Sequence, residues 1–142
     1  EIFKMKKWNI LVLVISVVWG TISAYGQSAV YVYKNPHKGE GNYICMRGVS
    51  TQKEAEMLSK QKLEELVSND SLIYQYASTN KKGYGIILKA EVKVNGKTMT
   101  IYGAALGCKS YKEAEKKALE NLREKNPEWK GEETKVVYKF KD

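Results

Sequence analysis

The clearest alternation of hydrophobic and polar residues lies on both sides of the dipeptide Asn95-Gly96. Residues 86–94 and 97–105 each alternate with a period of two, as in a strand with one buried face. Asn-Gly between two such runs favours a two-residue turn and therefore a β-hairpin. Counting outward from the turn gives an apolar face and a polar face. The cross-strand pairs are Val92–Met99, Ala90–Ile101, Lys93–Thr98 and Glu91–Thr100.

Four shorter runs with strand character flank this hairpin. Each is rich in residues that favour strands, and clusters of Gly, Pro, Asn or Ser bound them. The runs are 29–34, 42–47, 71–77 and 134–140. The first two are separated by a stretch with Pro and Gly, so we expect them to form a second hairpin.

A seven-residue phrase occurs twice, 59 positions apart, as STQKEAE at 50–56 and KSYKEAE at 109–115. Each copy follows a glycine that ends a strand, and each contains a Thr or Ser that can cap a helix. A Glu three residues after the cap completes a capping box, and such a cap contributes about 1 kcal/mol. The predicted caps are Thr51 and Ser110. Folding alone therefore explains the repeat.

These elements follow the order ββα-βββα-β, with helices at 52–67 and from the Ser110 cap to Asn126-Pro127. We predict an α+β domain in which two helices pack on one face of a mostly antiparallel sheet. The doubled strand-Gly-helix unit indicates an internal duplication. The other face of the sheet would then be open to solvent.

The N-terminal part of the chain has the pattern of a secretory signal peptide. Lysines follow Met5, an apolar run covers 10–19, and small residues end the segment before Gln27. The alternative is an uncleaved anchor, but a membrane span needs about 20 apolar residues. We therefore expect 1–26 to be a signal peptide with an N-terminal extension. Residues 27–142 would form a single exported domain, periplasmic or extracellular, with no membrane span after cleavage.

The charge of the chain favours an anionic partner. The formal net charge is +8, and residues 1–26 hold three Lys and one Glu, so residues 27–142 carry +6. A basic surface attracts anionic polysaccharide, lipid headgroups, acidic envelope proteins or nucleic acid. Because Lys and Glu are interspersed, solubility alone also explains this balance.

Two cysteines, Cys45 and Cys108, leave two structures open. In an exported protein an even pair can form a disulfide, here closing a loop of about 64 residues. Alternatively, Cys45 lies within a strand as a small buried hydrophobic residue.

Tyrosine is the compositional oddity: nine of the ten tyrosines follow residue 26. If Val30 and Val32 face the helices, Tyr31 and Tyr33 face the opposite, open side of the sheet. The polar side of the central hairpin would face the same way. The candidate binding residues are Tyr31, Tyr33, Lys89, Tyr102 and Lys93. We expect a non-enzymatic binding module that contacts an anionic envelope polymer or a partner protein through this Tyr/Lys sheet face. Ordinary strand propensity also explains the tyrosines.

The stretch EVKVNGKTMTIYGAALGCKSYKEAEKKALENL, residues 91–122, resembles the hairpin-then-helix half of a double-stranded RNA-binding domain. In that family a glycine turn precedes Ser-Lys-Lys-x-Ala-Lys and an alanine-rich helix. The resemblance implies that Ser110, Lys112 and Ala114 match the motif and that Lys112 meets a phosphate. A nucleic-acid binder would use Lys109, Lys112 and Lys116, gathered beside the Asn95-Gly96 turn.

Signals for catalysis are weak. The single histidine, His37, has no carboxylates at ligand spacing, so we predict no metal site, no cofactor and no catalytic residues. The sequence contains no nucleophile elbow, no HExxH and no Cys-x-x-Cys. A small enzyme that acts on a polyanion, using Tyr31, Tyr33 and His37, is the second alternative.

Overall fold

The computed structural model describes residues 13–16, 26–67 and 70–142. Within them the chain forms seven strands, two α-helices of 15 residues each and a 3-10 helix at Asp70–Leu72. The strands and α-helices are β1 (Leu13–Ser16), β2 (Gln27–Asn35), β3 (Glu40–Val49), α1 (Gln52–Leu66), β4 (Ile73–Thr79), β5 (Tyr84–Val94), β6 (Lys97–Cys108), α2 (Tyr111–Lys125) and β7 (Thr134–Lys141).

The strands form two sheets that pack face to face. Their orders are β1-β3-β2-β4 and β6-β5-β7, and every ladder is antiparallel except β1 on β3. Apolar side chains of both sheets meet in one cluster between them. Helix α1 covers the outer face of the first sheet, and α2 covers much of the outer face of the second. The domain therefore has four layers, α/β/β/α.

Each half of the domain is the same ββαβ unit. A hairpin leads into a helix, and a third strand returns to pair with the first strand of its own hairpin. Even an irregularity repeats: the β2–β4 ladder shifts register between Val30 and Tyr31, and the β5–β7 ladder shifts between Ile87 and Leu88. These two shifts lie at matched positions of the two halves.

The helices start as the doubled phrase predicts. The Thr51 hydroxyl accepts a bond from the Glu54 N–H at 3.0 Å, and the Ser110 hydroxyl accepts one from the Glu113 N–H at 3.1 Å. Each Glu carboxylate in turn accepts a bond from the N–H of the residue before the cap. Each helix then buries three residues spaced four positions apart, which therefore lie on one face of the helix. They are Ala55, Ser59 and Leu63 in α1, and Ala114, Ala118 and Leu122 in α2.

The α+β class, the element order and the internal strand-Gly-helix duplication are confirmed. The four predicted cross-strand pairs of the central hairpin are also confirmed. The placement of both helices on one face of a single sheet is wrong. Each half builds its own sheet because its third strand pairs within that half, and both faces of each sheet carry side chains apolar enough to be buried.

The predicted signal peptide, 1–26, lies outside the described residues except for Leu13–Ser16 and Gly26, and its cleavage stays a prediction. Among the residues that the structure describes, no helix is both long and apolar enough to cross a bilayer.

The second helix lies unusually close to its sheet. A Cβ on Gly103 of β6 would stand 2.4 Å from the Ala118 carbonyl oxygen and from the Leu122 Cβ. The matched position in the first half holds Ile44, whose side chain packs near Leu63. Helix α1 must therefore stand further from its sheet at this point than α2 does.

We expect Gly103→Ala to lower the free energy of unfolding by about 1–3 kcal/mol, because the added methyl group overpacks the contact between β6 and α2. Chemical denaturation measures this change. Thr98→Ala, an exposed substitution on the same strand, should change stability by no more than about 0.5 kcal/mol. A Gly103→Ala protein as stable as the parent would show that the helix does not lie this close.

Candidate functional site

The outward-facing tyrosines predicted on β2 are covered by a helix. Tyr31 and Tyr33 pack in the clusters beneath α1, whereas Val30 and Val32 face the second sheet. The Tyr31 hydroxyl donates to Gln75 Oε1 at 2.8 Å, and burial raises the pKa of both tyrosines. The prediction of which side chains of β2 face a helix is therefore wrong: the tyrosines do, and the valines do not.

The remaining predicted residues do not join them. Tyr102 is 2% exposed and lies between the sheets, where its ring centroid is 5.0 Å from that of Tyr43. Burial raises the pKa of both hydroxyls. Lys89 pairs with Tyr102 in the register that the sequence predicts and is half-buried, and Lys93 is exposed. The five predicted residues thus form no common surface.

A different tyrosine and lysine surface lies beside α2. This helix packs on β5 and β6, which leaves the same face of β7 largely uncovered, and Val136 there is 46% exposed. The β5–β7 register places Lys139 opposite Ile86 and Lys141 opposite Tyr84. Both lysines therefore lie on the α2 side of the sheet.

Four side chains form what we call the lysine–tyrosine patch: Tyr84, Tyr111, Lys139 and Lys141. The two rings meet edge to face, with centroids 4.6 Å apart and planes at 76°. Lys139 Nζ lies 4.6 Å from the Tyr111 centroid, and Lys141 Nζ lies 5.2 Å from the Tyr84 centroid. Both distances are within the range of a cation–π contact. Each ring of this touching pair thus holds one lysine ammonium group close to it.

Local sequence explains each member of the patch. Tyr111 is the first residue of α2, directly after the Ser110 cap, and Tyr84 is the first residue of β5. Lys139 and Lys141 are two residues apart on β7 and therefore share a face. Sequence reasoning missed this site because Tyr84 lies just before the predicted strand run at 86–94, and Tyr111 lies within the repeated phrase that folding alone explains. The alternating lysines of the last strand were the available signal.

The C-terminal strand is fixed from its other face by Arg47 of β3. Its guanidinium donates to the Tyr138 hydroxyl at 2.7 Å and pairs with Asp142 at 2.9 Å. Its Cζ lies 4.0 Å from the Phe140 centroid. The alternate residues that face the first sheet therefore anchor β7, and this holds Lys139 and Lys141 in position.

The surroundings of the patch are cationic. The loop before β5 packs closely against the end of β6. A Cβ on Gly83 would lie only 2.5 Å from the Cys108 carbonyl oxygen. This contact brings two lysine-containing segments to the end of the domain where α2 begins. Their lysines are Lys81, Lys82, Lys109 and Lys112, and all four are exposed. Within 13–16, 26–67 and 70–142, neither Lys139 nor Lys141 forms an ion pair.

The lysines of the nucleic-acid alternative do not gather at the hairpin turn. Tyr84 pairs with Cys108 at one end of the hairpin, and the Asn95-Gly96 turn closes the other end after eleven residues of β5. Lys109 and Lys112 stand beside the first end, and Lys116 is one helical turn further along α2. RNA binding stays a prediction, and the three lysines do not lie beside the Asn95-Gly96 turn as it requires.

A second tyrosine and lysine cleft, of about 320 Å³, opens near the C-terminus of α2. It is lined by Lys34, Pro36, Tyr74, Tyr76 and Lys125. The Lys34 ammonium is already engaged there, with Asn126 Oδ1 at 2.9 Å and Glu128 Oε2 at 2.5 Å. Because half of its positive charge is compensated, we regard this cleft as a weaker anion site than the lysine–tyrosine patch.

The cysteines and the histidine take structural positions. Cys45 and Cys108 are free and buried in two different clusters, one between the sheets and one beneath α2. The disulfide is therefore absent from this structure, and the buried hydrophobic role is the one that it shows for Cys45. His37 is exposed in the β2–β3 turn. No group of three residues able to hold a metal ion occurs within the described part of the chain.

No protein-family model matches this chain, and comparison with curated proteins and with solved structures gives no match either. Function must therefore be inferred from the chemistry of the described side chains. Among them, the lysine–tyrosine patch combines exposed charge, ordered rings and freedom from ion pairs.

We expect Cys45 to resist alkylation in the folded protein. Burial raises the pKa of its thiol to about 12, and the thiolate is the form that reacts. At about pH 8, labelling of Cys45 should follow global unfolding, and Cys108, which lies nearer the surface, should react earlier. Mass spectrometry after timed alkylation measures both rates. Unfolding without reductant should release two reactive thiols per chain, and a mass showing a bridge between them would contradict the structure.

Proposed function

We propose that the protein is a small exported binding module without catalytic activity, which holds an anionic polymer at the lysine–tyrosine patch. The observation that supports this most directly is the pair of lysine ammonium groups above two touching tyrosine rings. They occupy a part of the second sheet that no described element covers.

The patch suits an anion because its charge is ordered before binding. A free lysine side chain has about 2 kcal/mol of rotamer entropy, part of which is lost whenever it is fixed on a ligand. The rings of Tyr84 and Tyr111 already restrict the ammonium groups of Lys141 and Lys139. A carboxylate, sulfate or phosphate group therefore meets preorganised cations, and the ring faces remain beside them for stacking with sugars.

The shape of the surface favours a polymer over a small molecule. Small ligands bind mainly in enclosed clefts, whereas this patch lies on an open face beside α2. Lys139 and Lys141 are two strand residues apart, a spacing of about 6.6 Å along β7. The exposed lysines of the neighbouring loop and helix start extend the positive charge beyond the two rings. A chain with repeated negative groups can contact several of these cations at once.

The N-terminal pattern supports the location of this function outside the cytoplasm. We expect expression in a bacterial host with a Sec pathway to yield an exported protein that begins at Gln27. Intact-mass measurement of the exported fraction checks this. A chain that keeps residues 1–26 in every fraction would contradict the export proposal, and would leave the polymer-binding proposal to be judged by the next experiment.

We expect the double variant Lys139→Ala and Lys141→Ala to lose polymer affinity by about tenfold, which is the effect of two contacts of about 0.7 kcal/mol each. Retention on an acidic polysaccharide measures this loss. Binding of the parent should weaken steeply with added salt, because exposed charges are screened. A neutral polysaccharide should not retain either protein.

The matched control is Lys53→Ala and Lys60→Ala, which removes the same charge from exposed positions on α1 in the other half of the domain. If both double variants lose affinity equally, net charge alone explains binding and the patch is not the site. Preferential retention on duplex RNA at moderate salt, compared with the acidic polysaccharide, would instead favour the nucleic-acid alternative.

A further inference from the structure

One edge of the first sheet is formed by the short strand β1, which pairs with β3. Strand β1, Leu13–Ser16, pairs in parallel with β3, whereas all the other ladders of the described residues are antiparallel. Its four residues Leu-Val-Ile-Ser lie opposite Ile44, Cys45, Met46 and Arg47 in unbroken register. This edge therefore accepts a short, mostly apolar strand.

The other sheet edges have means of discouraging such pairing. Strand β7 carries three lysines, a residue that natural proteins use to protect strand edges. The β4 and β6 edges are bridged by Asn121 of α2, which accepts from the Ala104 N–H at 2.9 Å and donates to the Tyr76 carbonyl at 3.2 Å. A helix side chain thus takes up backbone groups that a new strand would need.

Strand β3 has no comparable protection. It spans ten residues, contains no lysine or proline, and its one cation, Arg47, is tied to Asp142. Ile44 packs beneath α1 and Cys45 packs between the sheets, so this part of β3 is apolar on both faces. A long apolar edge of this kind readily pairs with another extended segment. Residues 13–16 occupy that edge in the full chain, and they belong to the segment that we propose is removed on export.

We propose that the β3 edge is a strand-acceptor site. After removal of residues 1–26 it takes up one extended apolar segment of a partner protein, which pairs in parallel at the register of Leu13–Ser16. This inference rests on the proposed export. In the uncleaved chain, Leu13–Ser16 show the strand chemistry and register that this edge accepts.

A second copy of this chain fits the site less well than a partner segment does. Two β3 strands related by a twofold axis normal to the sheet would pair antiparallel, whereas the observed occupant is parallel. The occupied length is also short, four residues of the ten in β3. A parallel segment with the chemistry of Leu-Val-Ile-Ser matches both observations.

The test begins with the full chain carrying a site-specific protease sequence between Gly26 and Gln27, so that the protein is folded before it is cut. Hydrogen exchange then follows the backbone amides of residues 42–49. After cleavage and removal of the leader, the amides that face β1 should exchange at least about tenfold faster. A synthetic peptide with residues 11–18, added in excess, should restore their protection.

The control peptide has proline at positions 14 and 15, so it lacks two backbone donors and cannot form the ladder. Exchange in residues 97–105 should stay constant throughout, which shows that the domain remains folded. Three outcomes would overturn the proposal: unchanged exchange in 42–49 after removal of the leader, equal protection by both peptides, or protection that depends on protein concentration and signals self-pairing of β3. None of them bears on whether cells cleave the chain, so failure here is distinguishable from failure of the export proposal.

Discussion

Burial of both faces of each sheet is the constraint on which this domain depends. A sheet of three or four strands is too small to form a core by itself, so each one needs a helix on one side and the other sheet on the opposite side. The inner faces supply Val, Tyr, Ile and Phe to a common cluster. The outer face of each sheet packs against the buried stripe of its helix, which consists of two small residues followed by a leucine. With both sheets covered, function is confined to edges, ends and the strand that α2 leaves exposed.

Local features of the fold could be predicted because each depends on a few neighbouring residues. The Asn95-Gly96 turn determined the hairpin register, and the Thr51 and Ser110 caps determined both helix starts. The pairing of the two sheets could not be predicted in this way. Tyr31 and Tyr33 alternate with valines, and tyrosine is compatible with either a solvent-exposed face or a face packed beneath a helix. Only the position of α1 decides between them.

The candidate site was missed for a related reason, since its four members come from three elements that meet only in three dimensions. Comparison of the two halves makes its character clear. In the first half, Gln52 donates to Ser78 at 2.8 Å, and Ser78 donates to Glu56 at 2.6 Å, which ties α1 to β4. The matched positions of the second half hold Tyr111, Lys139 and Glu115. A polar tie between helix and strand has been replaced there by a ring and an exposed cation.

The contact between Tyr43 and Tyr102 has a further consequence for the architecture. These residues are 59 positions apart, the same interval that separates the doubled phrase, and each ring packs on its own counterpart at the centre of the sandwich. A surface that meets its own copy in this way is self-complementary, as in an isologous dimer. At this contact the two halves of one polypeptide therefore meet as the subunits of an isologous dimer do, although the halves differ at their rims.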